Sequence, residues 1–135
     1  MVKITATYLG EKHCQATHEP SQSTLETDAP KDNQGRGESF SPTDLVATAL
    51  GTCILTTIAI VAERDGVAIL NSKMSVEKEM TPPPRRIASL KTVIELSKTI
   101  PEDYRAKILN VAETCPVKKS LHPDVLTPLE IRYTL

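Results

Sequence analysis

The sequence predicts an α+β fold: a small antiparallel meander, one long apolar helix, then a second group of strands and short helices. Three observations predict it. Runs at both ends of the chain alternate polar and apolar residues, the two-residue period of a half-buried strand. A central run, residues 45–62, carries no charge. A capping sequence stands just before that run and a glycine just after it.

Val2, Ile4, Ala6 and Tyr8 alternate with Lys3, Thr5 and Thr7, which reads as the first strand. Residues 9–12 are turn-like. Residues 13–19 read as a second strand, closed by Pro20 and Ser21, and residues 23–28 as a third. Residues 29–40, APKDNQGRGESF, keep no period and are punctuated by Gly, Pro, Asn and Asp. A structureless loop of that length in a compact domain is often functional.

The helix start is well marked. Ser41 can cap, Pro42 suits the first helical position, and Asp44 stands three after Ser41 as in a capping box. The helix predicted here runs over residues 42–64 and ends at Gly66. Apolar residues surround it almost completely, so most of its faces must be buried. One six-stranded sheet covers only one side of a helix, so a second subunit is expected to cover the rest.

Met74, Val76 and Met80 alternate with charges as a fourth strand, and MTPPPRR is a stiff turn. Residues 87–98 form a fifth strand with Leu90, Thr92, Ile94 and Leu96 on one face. Pro101 opens a second helix, with Glu102 and Asp103 in the first turn where they suit the helix dipole. Tyr104, Ile108, Val111 and Cys115 make one stripe at helical spacing. Pro116 breaks that helix, and a short one follows to Leu121. Leu129, Ile131, Tyr133 and Leu135 alternate as the last strand. With no repeat or linker in view, residues 1–135 are expected to form a single domain.

Composition removes several function classes. Hydrophobic residues make up 39% and charged residues 24%, an ordinary globular balance. Sixteen basic residues against seventeen acidic give a net charge of −1. That argues against a nucleic-acid partner held by phosphate neutralisation. One Phe, three Tyr and no Trp leave little for stacking on bases. The opening residues, MVKITATYLG, lack the apolar run of a secretory signal, and three scattered cysteines do not make a disulfide scaffold. A cytoplasmic chain with free thiols is the expectation. Residues 45–62 reach the lower length limit of a membrane span, about 17 residues. Five Thr and Gly residues dilute them, and the flanks, Asp44 and then Glu63, Arg64 and Asp65, lack a cationic bias. No membrane is expected.

Cys53 lies in the middle of the apolar helix, about 18 Å from its positive end at ~1.5 Å per residue. The helix dipole fades within the first turn and cannot acidify this thiol. Apolar burial raises a thiol pKa. Taken alone, Cys53 reads as an inert core cysteine unless a cation reaches it from elsewhere. Cys115 precedes Pro116 at a helix N-cap, with Lys118 and Lys119 nearby, so local physics expects it to be the more acidic thiol. It also reads as a buried cysteine at a helix junction. His13, Cys14 and His18 invite a metal reading, but on a strand Cys14 and His18 share a face and His13 points away. No metal is expected. Arg36, flanked by Gly35 and Gly37, stands out among the loop cations Arg36, Arg85 and Arg86. Asp44 is about half a turn around the helix from Cys53 and reads as part of the capping box.

The segment TDAPKDNQGRGESFSPTDLVATALGTC, ending at Cys53, resembles the OsmC/Ohr superfamily. So does ETCPVKKSL around Cys115, and the cysteine spacing and order of elements are similar. The resemblance implies an OsmC-like fold, with two antiparallel sheet portions around a long buried helix in an intertwined homodimer. It implies thiol-dependent reduction of hydroperoxides, mainly organic ones, as part of an oxidative stress response. Cys53 would be the peroxidatic thiol and Cys115 the resolving one. An external dithiol, such as a lipoylated protein, would then reduce the disulfide, and no metal or organic cofactor would be needed. In the Ohr branch an acid directly after the helix-starting proline holds an arginine over the thiol. Here Thr43 takes that position, Asp44 comes one later, and no arginine precedes Arg36. Arg36, supplied by the partner subunit, is the expected substitute. The missing acid favours two rivals: a dimeric binding protein for a small hydrophobic, acyl or lipoyl ligand, and a thiol redox sensor.

Overall fold

The structure, a computed structural model, describes residues 1–135. It divides into two compact units, Met1–Val46 and Ala47–Leu135. The first holds an antiparallel meander of β1 (Ile4–Gly10), β2 (His13–His18) and β3 (Ser23–Asp28). β1 begins two residues later than the sequence reading placed it and runs on through Leu9 and Gly10, which read as a turn. A bulge between Tyr8 and Gly10 allows this, and Gly10, Glu11 and Lys12 make the turn in the left-handed region. Paired residues share a face of the sheet. Ile4, Ala6, Tyr8, Cys14, Ala16 and Leu25 therefore line one side. Ile4, Tyr8 and Leu25 stay exposed there.

The loop after β3 is not wholly structureless. A 3-10 turn at Lys31–Asn33 opens it, and Gly35 lies so close to the Ala29 carbonyl that a Cβ would fall 1.7 Å from its oxygen. The capping box forms as the sequence predicts. The Asp44 N–H donates to Ser41 Oγ at 3.1 Å, and the Ser41 N–H donates to Asp44 Oδ2 at 2.9 Å. Helix α1 (Pro42–Arg64) follows and carries the chain into the second unit. Gly66, at φ 75°, ends it, with the Val67 N–H donating to the Ala62 carbonyl.

The second unit packs the rest of α1 with β4 (Lys73–Met80), β5 (Ile87–Leu96), α2 (Glu102–Ala112), α3 (Pro116–Ser120) and β6 (Leu129–Tyr133). The six strands form two three-stranded sheets rather than one six-stranded sheet. The second sheet is also mixed: β4 and β5 are antiparallel, but β5 and β6 are parallel. The helices between β5 and β6 return the chain to the starting end of the sheet, which makes the last pair parallel. Leu90, Thr92, Ile94 and Leu96 all point into the core, as their alternation predicts.

On α1 the buried residues are Ala47, Leu50, Gly51, Ile54, Ile58 and Ala62, one stripe at helical spacing. Gly51 meets the side chains of Met74 and Val76 on β4. Asp65, just past the helix, accepts from Lys107 Nζ at 2.6 Å and Tyr104 Oη at 2.7 Å, tying that end to α2. By length and composition α1 is apolar enough to cross a membrane, but its packed stripe is that of a core helix. Only 33% of its most apolar window is buried within one chain, and Ile60 is 63% exposed. The burial on most faces expected from composition is thus absent from the single chain.

Candidate active site

Cys53 sits one position before the buried stripe resumes at Ile54 and is itself half-buried. Cys115 is fully buried where α2 gives way to α3, and it caps α3 as the sequence suggests, with Pro116 next in line. The two thiols, distant in sequence, stand close enough that each shifts the other's pKa. Two free amides of the first turn of α3 serve them. The Lys118 N–H donates to Cys115 Sγ at 3.5 Å, and the Val117 N–H lies near enough to Cys53 to favour its thiolate. Thr57, one turn along α1, places Oγ1 4.0 Å from Cys53 Sγ.

These contacts divide the pair. For Cys53, burial opposes the thiolate, but the hydrogen bonds from Cys115, Val117 and Thr57 outweigh it and bring the pKa below that of an ordinary thiol. For Cys115, burial pushes the pKa up and the hydrogen bond to Cys53 adds to that, with the amides of Lys118 and Val117 offsetting only part. The order expected from the sequence is therefore reversed. The cap exists, but complete burial outweighs it, and the Lys118 ammonium is paired with Glu113. Of the two, Cys53 is therefore the thiol that ionises first. Sequence reasoning missed Thr57 and Val117. Thr57 is legible only as a hydroxyl four residues after the cysteine, on the same helix face.

Arg36 belongs to the first unit, where its guanidinium donates to Glu11 Oε2 at 3.1 Å and Asp28 Oδ1 at 3.3 Å. Asp28 is only 1% exposed and also meets His13 Nδ1 at 2.7 Å and the Glu38 N–H at 3.2 Å. The hydrogen bond to His13, against the cost of burial and with help from Arg36, holds the Asp28 carboxyl below the usual carboxylate range. Its counterpart, the hydrogen bond to Asp28, raises His13 despite desolvation, and Glu26 adds to the effect. His13 thus serves a carboxylate on the face opposite Cys14, and His18 bonds Ser21.

The OsmC-like protein family matches residues 35–129, a span that includes both cysteines. The chain belongs to the OsmC-like family. No curated protein matches it by sequence. Among solved structures, this OsmC-like chain is similar to a Psychrobacter arcticus protein provisionally named as an osmotic stress induced and detoxification response protein. Identity is 39%, coverage 98% of this chain and 96% of that one, and the TM-score 0.92. An organic hydroperoxide resistance protein OsmC from Legionella pneumophila shares its fold at 17% identity and TM-score 0.77, covering 98% and 96% of the two chains. So does the organic hydroperoxide resistance protein OhrB of Bacillus subtilis, at 20% identity and TM-score 0.72, covering 98% of each chain.

Proposed function

We propose that this OsmC-like protein is a thiol-dependent hydroperoxide reductase acting mainly on organic peroxides. The observation that carries the reading is the pair of neighbouring thiols, Cys53 lowered and Cys115 raised in pKa. A nucleophile needs the thiolate form, and a resolving thiol must stand within bonding reach. In the first step the Cys53 thiolate attacks the terminal peroxide oxygen. The O–O bond breaks, Cys53 becomes a sulfenic acid, and the alkoxide takes up a proton and leaves as alcohol. Cys115 then attacks the Cys53 sulfur, losing its proton as the hydroxyl leaves as water, and a Cys53–Cys115 disulfide forms. An external dithiol, such as a lipoylated protein, supplies two electrons and two protons to restore both thiols.

The working form in this reading is a homodimer, with residues 1–135 of each subunit acting as one OsmC-like domain in the cytoplasm. Ile60 and the exposed side of the N-terminal meander supply the apolar surface for the second subunit. Arg36 enters as the cation that completes the site from the partner. The pairing of Arg36 with Asp28 and Glu11 sets its position and offsets part of its charge.

The test treats reduced protein with cumene hydroperoxide and follows the disulfide by mass spectrometry. The wild type is expected to form Cys53–Cys115 disulfide, Cys115→Ser to stop at the sulfenic acid, Cys53→Ser to stay reduced, and Arg36→Met to oxidise about tenfold more slowly. Oxidation of Cys53 no faster than that of a free thiol overturns the reading in favour of a binding protein. Fast oxidation without turnover by a dithiol points to a redox sensor.

A further inference from the structure

If Cys53 is to react as a thiolate, donors or a cation must stabilise the charge on its sulfur. Within the unit that holds both cysteines, the groups meeting Cys53 are a thiol, a backbone N–H and a hydroxyl. None of them is a cation. We propose that Thr57 is a positioning residue for the reaction: its hydroxyl donates to Cys53 Sγ and, with the Val117 N–H and the Cys115 S–H, completes a three-donor cradle for the thiolate. The proposal rests on Cys53 being the reacting thiol.

The geometry supports it in two ways. Thr57 follows Cys53 by four residues, so the two side chains stand one above the other on the same face of α1. A helical threonine ordinarily turns its hydroxyl back to a carbonyl one turn earlier. Thr52 on the same helix does this, donating to the Thr48 carbonyl at 2.8 Å. Thr57 instead places its hydroxyl 4.0 Å from a sulfur. That is a long contact for a neutral thiol, and such contacts tighten in the working complex. Charge on the sulfur strengthens each of these hydrogen bonds, because donors to an ionised acceptor are shorter and stronger than donors to a neutral one. The hydroxyl also stays in place while sulfur passes from thiolate to sulfenic acid, because it can either donate or accept.

The cradle gives each donor a separate source. Cys115 and Val117 belong to the junction before α3, whereas Thr57 rides on the same rigid helix as Cys53. Removing Thr57 therefore leaves the resolving thiol and its cap untouched.

The experiment measures the rate of iodoacetamide alkylation of Cys53 against pH, following its peptide by mass spectrometry in protein that keeps all three cysteines. Wild type, Thr57→Val and Thr57→Ser are compared. Valine keeps the shape and removes the donor, whereas serine keeps the donor. Thr57→Val is expected to alkylate roughly threefold to tenfold more slowly at pH 7, with its profile moved to higher pH, and to match the wild type on the alkaline plateau. Thr57→Ser should lie within about twofold of the wild type throughout. Thermal unfolding of each variant separates a lost donor from a lost fold. If Thr57→Val destabilises the protein, the comparison of Thr57→Ser with Thr57→Ala decides. A Thr57→Val or Thr57→Ala profile that coincides with the wild type overturns the proposal, as does a rate deficit that persists on the alkaline plateau. Alkylation requires no peroxide, so a normal shift in a protein that fails to reduce cumene hydroperoxide would sink the peroxidase reading alone.

Discussion

Asp28 gathers three partners around one carboxyl group that solvent hardly reaches. His13, Arg36 and the Glu38 amide all donate to it, and its own amide donates to the Phe40 carbonyl, fastening the long loop to the end of β3. The clamp has a pH signature with two limbs. The His13 pKa is raised by Asp28, so its contribution to stability is full below about pH 6.5 and fades as pH rises through the folded-state value. The Asp28 pKa is depressed, so its contribution holds above about pH 3.9 and fades as pH falls through the lower folded-state value. The charged pair is therefore strongest between those limits. In urea unfolding, wild type is expected to exceed His13→Gln at pH 5.5 by more than at pH 8.5. An equal gap at both pH values would show that the imidazolium charge contributes nothing. None of this was legible in the sequence, where Asp28 merely closes a strand and His13 suggests a ligand. The signal lies in a pairing across two strands, which no local pattern carries.

At the scale of elements, α1 and its seat on β4 decide the most. Its limits were legible to the residue, because Ser41, Pro42, Asp44 and Gly66 act within a turn of where they stand. The inward face of β5 was legible for the same reason. The parallel pairing of β6 was not, because it depends on where two intervening helices deliver the chain. Gly51 was not legible either. A Cβ there would lie 2.6 Å from Met74 Sδ and 2.8 Å from Val76 Cγ2. Met74 can swing aside, but the β-branched Val76 is stiff. Gly51→Ala is therefore expected to cost about 1–3 kcal/mol, read as a lower urea midpoint. It would also disturb the turn of α1 that carries Cys53, so slower Cys53 alkylation should accompany the loss.

For the whole molecule, the apolar surface left open within one chain is the leading fact. In the first unit Val2, Ile4, Tyr8, Leu9, Leu25 and Phe40 are exposed. In the second, Ile60 stands out on a helix whose sequence demands burial on nearly all sides. Composition alone made that demand legible, because a helix apolar all round has no stable place in water. Which surfaces meet was not legible, since a sequence names faces and not their mates. Burying one isoleucine contributes about 1.5–3 kcal/mol. A charge at position 60 removes that gain on both subunits of a symmetric pair. Sedimentation is expected to give a dimer for the wild type and a monomer for Ile60→Lys, and a wild-type monomer would remove the second subunit from the proposed mechanism.

The five-residue helix after Cys115 has a consequence of its own. Its first free amides are shared between two sulfurs, and one of those sulfurs is its cap. A segment this short has almost no intrinsic helical stability. Its order would therefore respond to the charge on the thiols it serves. In the proposed cycle a Cys53 thiolate would strengthen its hydrogen bonds to this turn, and disulfide formation would take that charge away. Under the proposed cycle, redox chemistry at the pair and local order at residues 116–120 would be coupled, so a reductant approaching this region would meet a different surface after each turnover.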